Sequence, residues 1–260
     1  MKLHDKNTVQ LIPIRLPTVQ VGQQLAPVLI NALGDAHQAL KRGDMLAVAS
    51  KIVSTSEDRI VRLQEVKVNT AARSLARRYG IEERLCTIVA AESDNILGGV
   101  KGFLLTLKNY ILTANAGVDV KNAPPETAIL WPKNPDRSAE KLRRSLERHY
   151  HSKFGVEIVD SRVTPLRLGT TGLAIGLSGF FPIRDERKNL DLYGRTIRVT
   201  QTNVADDLAA AAHLLMGEAA GRIGAVVIRN ADLKAGKGHS HDAVITKRRC
   251  LVGSNLRKEI

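Results

Sequence analysis

Gly43-Asp44-Met45-Leu46-Ala47-Val48-Ala49-Ser50 is the stretch on which the fold turns. A turn pair opens into an unbroken apolar run too short for a helix, which predicts a strand buried on both faces. Glu157-Ile-Val-Asp160 and Ala225-Val-Val-Ile-Arg229 read the same way. Helical periodicity separates them. Asn69 to Tyr79 carries Ala71, Leu75 and Tyr79 on one stripe and stops at Gly80, while Val204 to Met216 is rich in alanine and leucine and stops at Gly217. Phe103-Leu-Leu-Thr-Leu107 and Tyr110-Ile-Leu112, split by Lys108-Asn109, predict a tight antiparallel hairpin, which argues against a purely parallel sheet. Pro124, Pro125, Pro132 and Pro135 interrupt regular structure, and a capped helix is expected from near Ser138. The expected class is α+β, with mixed sheets, an antiparallel hairpin and packed helices. Residues 1–260 are expected to form one domain, or two intertwined subdomains if the proline-broken stretch marks a boundary.

The 260 residues hold 39 Lys+Arg against 26 Asp+Glu, a net charge of +13. With 43% apolar and 25% charged residues the chain can bury a core, so disorder is excluded as its main state. No run approaches the roughly 18 apolar residues a membrane span needs, and no apolar signal segment follows Met1-Lys2-Leu3-His4-Asp5-Lys6. A cytoplasmic protein without a membrane partner is expected. Two cysteines, Cys86 and Cys250, are too few for a disulfide framework or a four-cysteine zinc site. The positive excess attracts polyanions, whether nucleic acid, nucleotide or a phosphorylated substrate. Aromatics are only 3% of the chain, and Arg77-Arg78, Arg143-Arg144 and Lys247-Arg248-Arg249 are not interleaved with them, which argues against nucleic acid.

The run Gly169-Thr-Thr-Gly172-Leu-Ala-Ile-Gly176-Leu-Ser-Gly179 invites a phosphate-loop reading, but its spacing matches no phosphate-loop pattern and Leu173-Ala-Ile175 suggests a strand. Close packing or a bulge is the expected role of these glycines. His239-Ser-His241-Asp242 offers metal-ligand types without a supporting third ligand and reads as a mobile polar loop. His149-Tyr-His151 reads as a helix end. Carboxylates at strand and helix ends are stronger candidates: Asp119 in Asn115-Ala-Gly-Val-Asp-Val-Lys-Asn122, Asp160 beside Ser161, and Glu218 after Gly217. Oxygen donors from separate loops suit a hard cation that also holds nucleotide phosphates. Taken singly, each is more readily a turn or cap residue than a ligand.

Together the segments resemble the coenzyme F420-0:L-glutamate ligase family, the F420 γ-glutamyl ligases. The likeness runs through Leu16-Pro17-Thr18-Val19, Ser50-Lys51-Ile-Val-Ser54-Thr-Ser-Glu57-Asp-Arg59, Ala116-Gly-Val-Asp119-Val-Lys-Asn122 and Asp160-Ser161. It continues through Arg167-Leu-Gly169-Thr-Thr-Gly-Leu-Ala-Ile-Gly176, Asp191-Leu-Tyr-Gly-Arg195, Val204-Ala-Asp-Asp207 and Leu215-Met-Gly-Glu218, roughly residues 8 to 235 in the family's order. The resemblance implies an F420 γ-glutamyl ligase-like fold. It also implies an enzyme that uses GTP to activate the phospholactyl carboxylate of a deazaflavin, F420-0, and then forms an amide with L-glutamate. By the same likeness, Asp119, Asp160, Ser161 and Glu218 fall on metal positions, with two Mg²⁺ or Mn²⁺ ions expected and K⁺ a further candidate. Leu16, Pro17, Thr18, Val19, Ser50, Lys51 and Asn122 fall on nucleotide positions, as do Met216, Gly217, Ala219, Ala220 and Gly221. Asp119, Asp160 and Arg167 are the expected catalytic positions, and a homodimer is the expected assembly.

The departures concentrate near the same residues. The family's lysine and glycine in the Ser50 segment are Thr55 and Asp58 here, its Gly-Arg after the second metal strand gives way to Arg162-Val163-Thr164, and a serine becomes Lys121. Lys121 and Arg162 are the candidates to replace the lost ammonium. Ligation of a different acid or amino acid, and nucleotide or nucleic-acid binding without catalysis on the same scaffold, stay open at this level.

Overall fold

The computed structural model describes residues 8–219 and 221–255. In chain order the elements are β1 (Gln10–Arg15), α1 (Leu25–Asp35), β2 (Met45–Ala49), α2 (Ser50–Ser56), β3 (Ile60–Arg62), α3 (Thr70–Tyr79) and α4 (Glu83–Glu92). Next come β4 (Asn95–Val100), β5 (Phe103–Lys108), β6 (Ile111–Ala114), β7 (Thr127–Ile129), α5 (Pro135–Tyr150) and β8 (Gly155–Val163). The remainder are β9 (Thr170–Ser178), β10 (Ile183–Asp185), β11 (Gln201–Asn203), α6 (Val204–Met216) and β12 (Ile223–Arg229). This is a mixed α+β architecture.

Its centre is a five-stranded sheet in the order β1-β12-β2-β8-β9, in which β2 and β8 run parallel and the other pairs antiparallel. The three apolar runs that predict strands are its three middle strands. Because successive strand side chains point to opposite faces, Leu46 and Val48 pack into one core with Leu29 of α1 and Leu142 and Leu146 of α5. Met45 and Ala47 pack into another with Ala205, Ala209 and Ala212 of α6. Both faces are covered, which is why these strands read as unbroken apolar runs. A third core gathers Ala72, Ala76, Cys86, Val89, Leu104 and Leu130 around α3, α4, the β4-β5-β6 sheet and the β3–β7 pair. Leu130 belongs to this core while its neighbour Trp131 belongs to the first.

Two boundaries differ from the sequence expectation. The hairpin turn is Asn109-Tyr110, with φ of 49° and 63°, because Lys108 is still paired with Ile111 and buries its ammonium on Glu92. The helix expected near Ser138 starts at Pro135. Asn134 caps it by accepting the Arg137 N–H, and proline costs nothing in a first turn whose N–H would lack a partner anyway. α3 runs as read, capped by Asn69 and closed by left-handed Gly80. His149 and His151 sit at the end of α5. His239 caps a short 3₁₀ turn, Ser240–Ala243, in which Asp242 accepts the His239 N–H, so the segment has regular structure where the sequence reads as a loop. Cys86 and Cys250 are both free thiols. Among the described residues no helix is long and apolar enough to cross a membrane.

Candidate active site

A cavity of about 350 Å³ opens where the chain leaves β1, β2 and α6, beside the middle of β8. The turn Leu16-Pro17-Thr18-Val19 forms one wall. Ser50, Lys51 and Thr55 of α2 form the floor beside Asp160 and Ser161 of β8, and Met216, Gly217, Glu218 and Ala219 close the far side with Asn122 at the rim. Gly224 lets the walls meet, since a Cβ there would stand 2.2 Å from Ile52 Cδ1 and 2.7 Å from Leu16 Cδ1. The Leu16 N–H bonds the Arg222 carbonyl at 3.0 Å and Arg15 bonds the Gly221 carbonyl at 3.1 Å, so the segment after α6 is tied to the first turn of the chain.

The structure therefore brings together most residues singled out from sequence. Asp119 does not line the cavity but is joined to it through Lys51, its Oδ2 2.6 Å from Lys51 Nζ and its Oδ1 accepting the Lys121 N–H at 2.8 Å. Gly221 contributes a carbonyl to Arg15 without lining the cavity. Arg167 stands on the exposed loop before β9 and does not line it either. Ala220 lies outside the described residues. Arg162 turns away: its NH1 is 3.2 Å from Asp206, and it lines a second cavity of about 380 Å³ between the β5–β6 hairpin, the start of α6 and the chain's last turns. Thr55 holds the cavity floor, but its hydroxyl donates to the Lys51 carbonyl at 2.8 Å. Of the two cations expected to replace a lysine at position 55, Lys121 is the one beside this cleft.

The acids differ in electrostatic character. Burial pushes the Asp160 carboxyl above its ordinary range, and hydrogen bonds from the Ser161 N–H and the Trp131 indole N–H oppose that push without cancelling it. Burial acts on Glu218 in the same sense, but hydrogen bonds from His213, Lys121 and Ser161 outweigh it and hold that carboxyl down to about 2. Its Oε1 lies 2.9 Å from His213 Nε2 and 3.1 Å from Thr170 Oγ1, and its Oε2 lies 3.1 Å from Lys121 Nζ. The Lys121 ammonium is held charged first by that hydrogen bond and then by the fields of Glu218, Asp119 and Asp160. The Lys121 ammonium is thus bonded to Glu218 and lies in the fields of Asp119 and Asp160, while Asp119 is paired with Lys51.

Trp131 and His213 escaped the sequence reading. The single tryptophan had a signal in its rarity and its place before Pro132, and His213 stands in the last turn of α6, five residues before Glu218. Trp131 is locked from behind. Its carbonyl accepts from Arg59 Nε at 2.9 Å, Arg59 also grips Glu92, and Glu92 takes the buried Lys108 ammonium at 2.5 Å. Gly117, at φ +71°, packs so closely that any Cβ would collide with the indole.

As to a metal, the donors are hard oxygens of the kind Mg²⁺ and Mn²⁺ prefer. Among the described residues no group of three or more His, Cys, Asp or Glu is gathered tightly enough to hold an ion. Lysines 51 and 121 stand between the acids instead. The donor chemistry fits a divalent cation, while both lysines are paired with acids of that donor set.

Fold and site together define a class: an α+β protein with a cleft lined by acids and a lysine between the central sheet and α6. Residues 13–230 match the family model described as F420-0:Gamma-glutamyl ligase. The chain belongs to that family. A coenzyme F420:L-glutamate ligase of Methanothermobacter thermautotrophicus is 37% identical over 82% of this chain and 85% of its own length. Enzymes of the same name from Methanopyrus kandleri and Methanocaldococcus jannaschii are 37% identical over 85% of this chain and 87% of theirs, and 33% identical over 94% and 97%.

Proposed function

We propose that this protein is a ligase that uses GTP and a divalent cation to join L-glutamate in amide linkage to coenzyme F420-0. One observation carries the reading: a single cavity gathers the Leu16–Val19 turn, Ser50 and Lys51, Asn122, Asp160 and Ser161, and the Met216–Ala219 segment. Sequence separation that large is not expected of turn and cap residues with only local roles. The names of the relatives support the acceptor and the amino acid.

The chemistry follows the charge. A carboxylate oxygen of the acceptor attacks the γ-phosphorus of GTP, GDP leaves, and an acyl phosphate forms. The amine of glutamate then attacks the acyl carbon, loses a proton, and expels inorganic phosphate. Such a transfer needs positioning and neutralisation more than covalent help. Lys51, from the cavity floor, supplies one positive charge toward the phosphates. The Leu16–Val19 turn and the segment after α6 form the walls that orient the nucleotide. Asp119, Asp160, Ser161 and Glu218 would hold Mg²⁺ or Mn²⁺, which when bound neutralises phosphate charge. Burial keeps the Asp160 proton affinity high, so that ligand set is complete only when Asp160 has released its proton.

The test is to incubate the full chain with F420-0, GTP, L-glutamate and Mn²⁺, and to follow product mass and GDP release together. A product heavier by one glutamyl residue with matching GDP is expected. Absence of nucleotide turnover with every divalent cation tried overturns the proposal.

A further inference from the structure

Lys121 is anchored at one end and free at the other. Its backbone N–H is fixed by Asp119, while its side chain, 60% exposed, reaches across the cleft to Glu218 Oε2 at 3.1 Å. The neighbouring Asn122 lines the cavity, so the lysine stem is rooted at the rim and its four carbons can carry the ammonium to either side. Glu218 is otherwise well held: His213 and Thr170 occupy Oε1, and Lys121 takes Oε2. A second ammonium, from Lys51, ties up Asp119 Oδ2 in the same way. The cleft thus balances its own acids with two tethered cations. A dication approaching Glu218 meets a like charge on the oxygen it needs.

We infer that Lys121 is an exchangeable counter-cation: it satisfies Glu218, yields that oxygen to an incoming divalent cation, and then places its ammonium on a phosphate oxygen of the anionic ligand. The inference rests on the metal- and nucleotide-dependent reading above. It makes Lys121 oppose one ligand and assist the other. The two magnitudes differ for a physical reason. The Lys121–Glu218 contact is largely exposed, so its loss changes cation affinity by only about two- to fivefold. A charge-assisted contact to a phosphate, partly shielded within the cleft, is worth about tenfold or more.

The experiment measures two bindings separately on the full chain. Mn²⁺ binding without nucleotide is read from the electron paramagnetic resonance of free Mn²⁺, and GDP binding in saturating Mn²⁺ is read by calorimetry. Lys121→Gln, which keeps the stem and drops the charge, is expected to bind Mn²⁺ about two- to fivefold tighter and GDP about tenfold weaker. Lys121→Arg, which keeps the charge, is expected to hold Mn²⁺ near the wild-type affinity. A merely structural lysine would weaken both ligands together, and that result overturns the inference. Unchanged Mn²⁺ affinity in Lys121→Gln, or no Mn²⁺ binding by either protein, overturns it as well. Wild-type protein that binds Mn²⁺ and GDP but turns over no GTP overturns the ligase proposal alone, since neither binding measurement depends on turnover.

Discussion

Glu157 is the residue whose place in the molecule is hardest to reconcile with its chemistry. It sits in mid-sheet on β8, opposite Ala47 and Leu177, fully buried, and among the described residues neither carboxyl oxygen has a hydrogen-bond partner. Burial first, and the nearby Asp206 charge second, push its proton affinity well above the ordinary 4.5. Burial therefore favours the neutral acid over the carboxylate in the native protein. The unfolded chain releases that proton above 4.5, whereas the folded chain must keep it, so stability falls as pH rises from 4.5 toward the folded value. Glu157→Gln, close in shape and never charged, is expected to be the more stable protein at neutral pH. Its advantage should grow by about 1.4 kcal/mol for each pH unit across that window and vanish below it. Urea unfolding of both proteins from pH 4 to 8 checks this, and parallel curves would show that Glu157 carries its charge in the native state. The apolar context of Glu157-Ile-Val-Asp160 made the strand legible. That the carboxyl lacks a partner was not, because it depends on α6, which lies far along the chain.

Strand β9 shows what glycine spacing does at the scale of an element. A Cβ on Gly172 would stand 2.1 Å from the Ala209 carbonyl oxygen of α6, and one on Gly176 would stand 2.4 Å from the Pro135 carbonyl carbon of α5. Four residues apart on a regular strand, both would face the same way. They face opposite helices because the pairing slips between Ile158 and Val159, leaving Ile175 unmatched and reversing the faces of β9. Gly172→Ala is expected to lose about 1 to 3 kcal/mol by driving α6 off the strand. Gly34→Ala in α1, where a Cβ meets nothing within 4 Å, is expected to gain up to about 1 kcal/mol from helix propensity and lost unfolded-state freedom. Denaturant midpoints of the two variants should therefore move in opposite directions, and loss in both would count against the packing account. Leu173-Ala-Ile175 was sufficient to suggest the strand, but which helix each glycine meets was not legible, because Ala209 and Pro135 lie far along the chain. The hairpin turn slipped by one residue because Lys108 is held in its strand by Glu92, a contact no local pattern encodes. The three-residue strands of β3–β7 and β10–β11 had no readable signal, being too short for periodicity and defined by their partners.

At the scale of the molecule, a seam between two cores runs beside the cleft. Leu130 packs into the core of α3, α4 and the three-stranded sheet, and Trp131, the next residue, packs against the five-stranded sheet and donates to Asp160. The Lys51–Asp119 ion pair crosses the same seam, joining α2 to the loop that follows β6. Periodicity located β2, β8 and α6 but could not bring the residues at their ends together. The grouping of Asp119, Asp160 and Glu218 was legible only through likeness to a family, because each acid alone passes for a turn or cap residue. A ligand that bridges the seam stabilises both cores through mass action on the native state. At a hundred times its dissociation constant it contributes about 2.7 kcal/mol, which for a chain of this length raises the unfolding temperature by about 5 to 10 °C. GTP with Mn²⁺ is expected to produce that shift in a single calorimetric transition, while either alone gives less, because the lysines and the acids are then only partly satisfied. Two transitions, of which the ligands move one, would place the binding energy within one core and refute the bridging geometry.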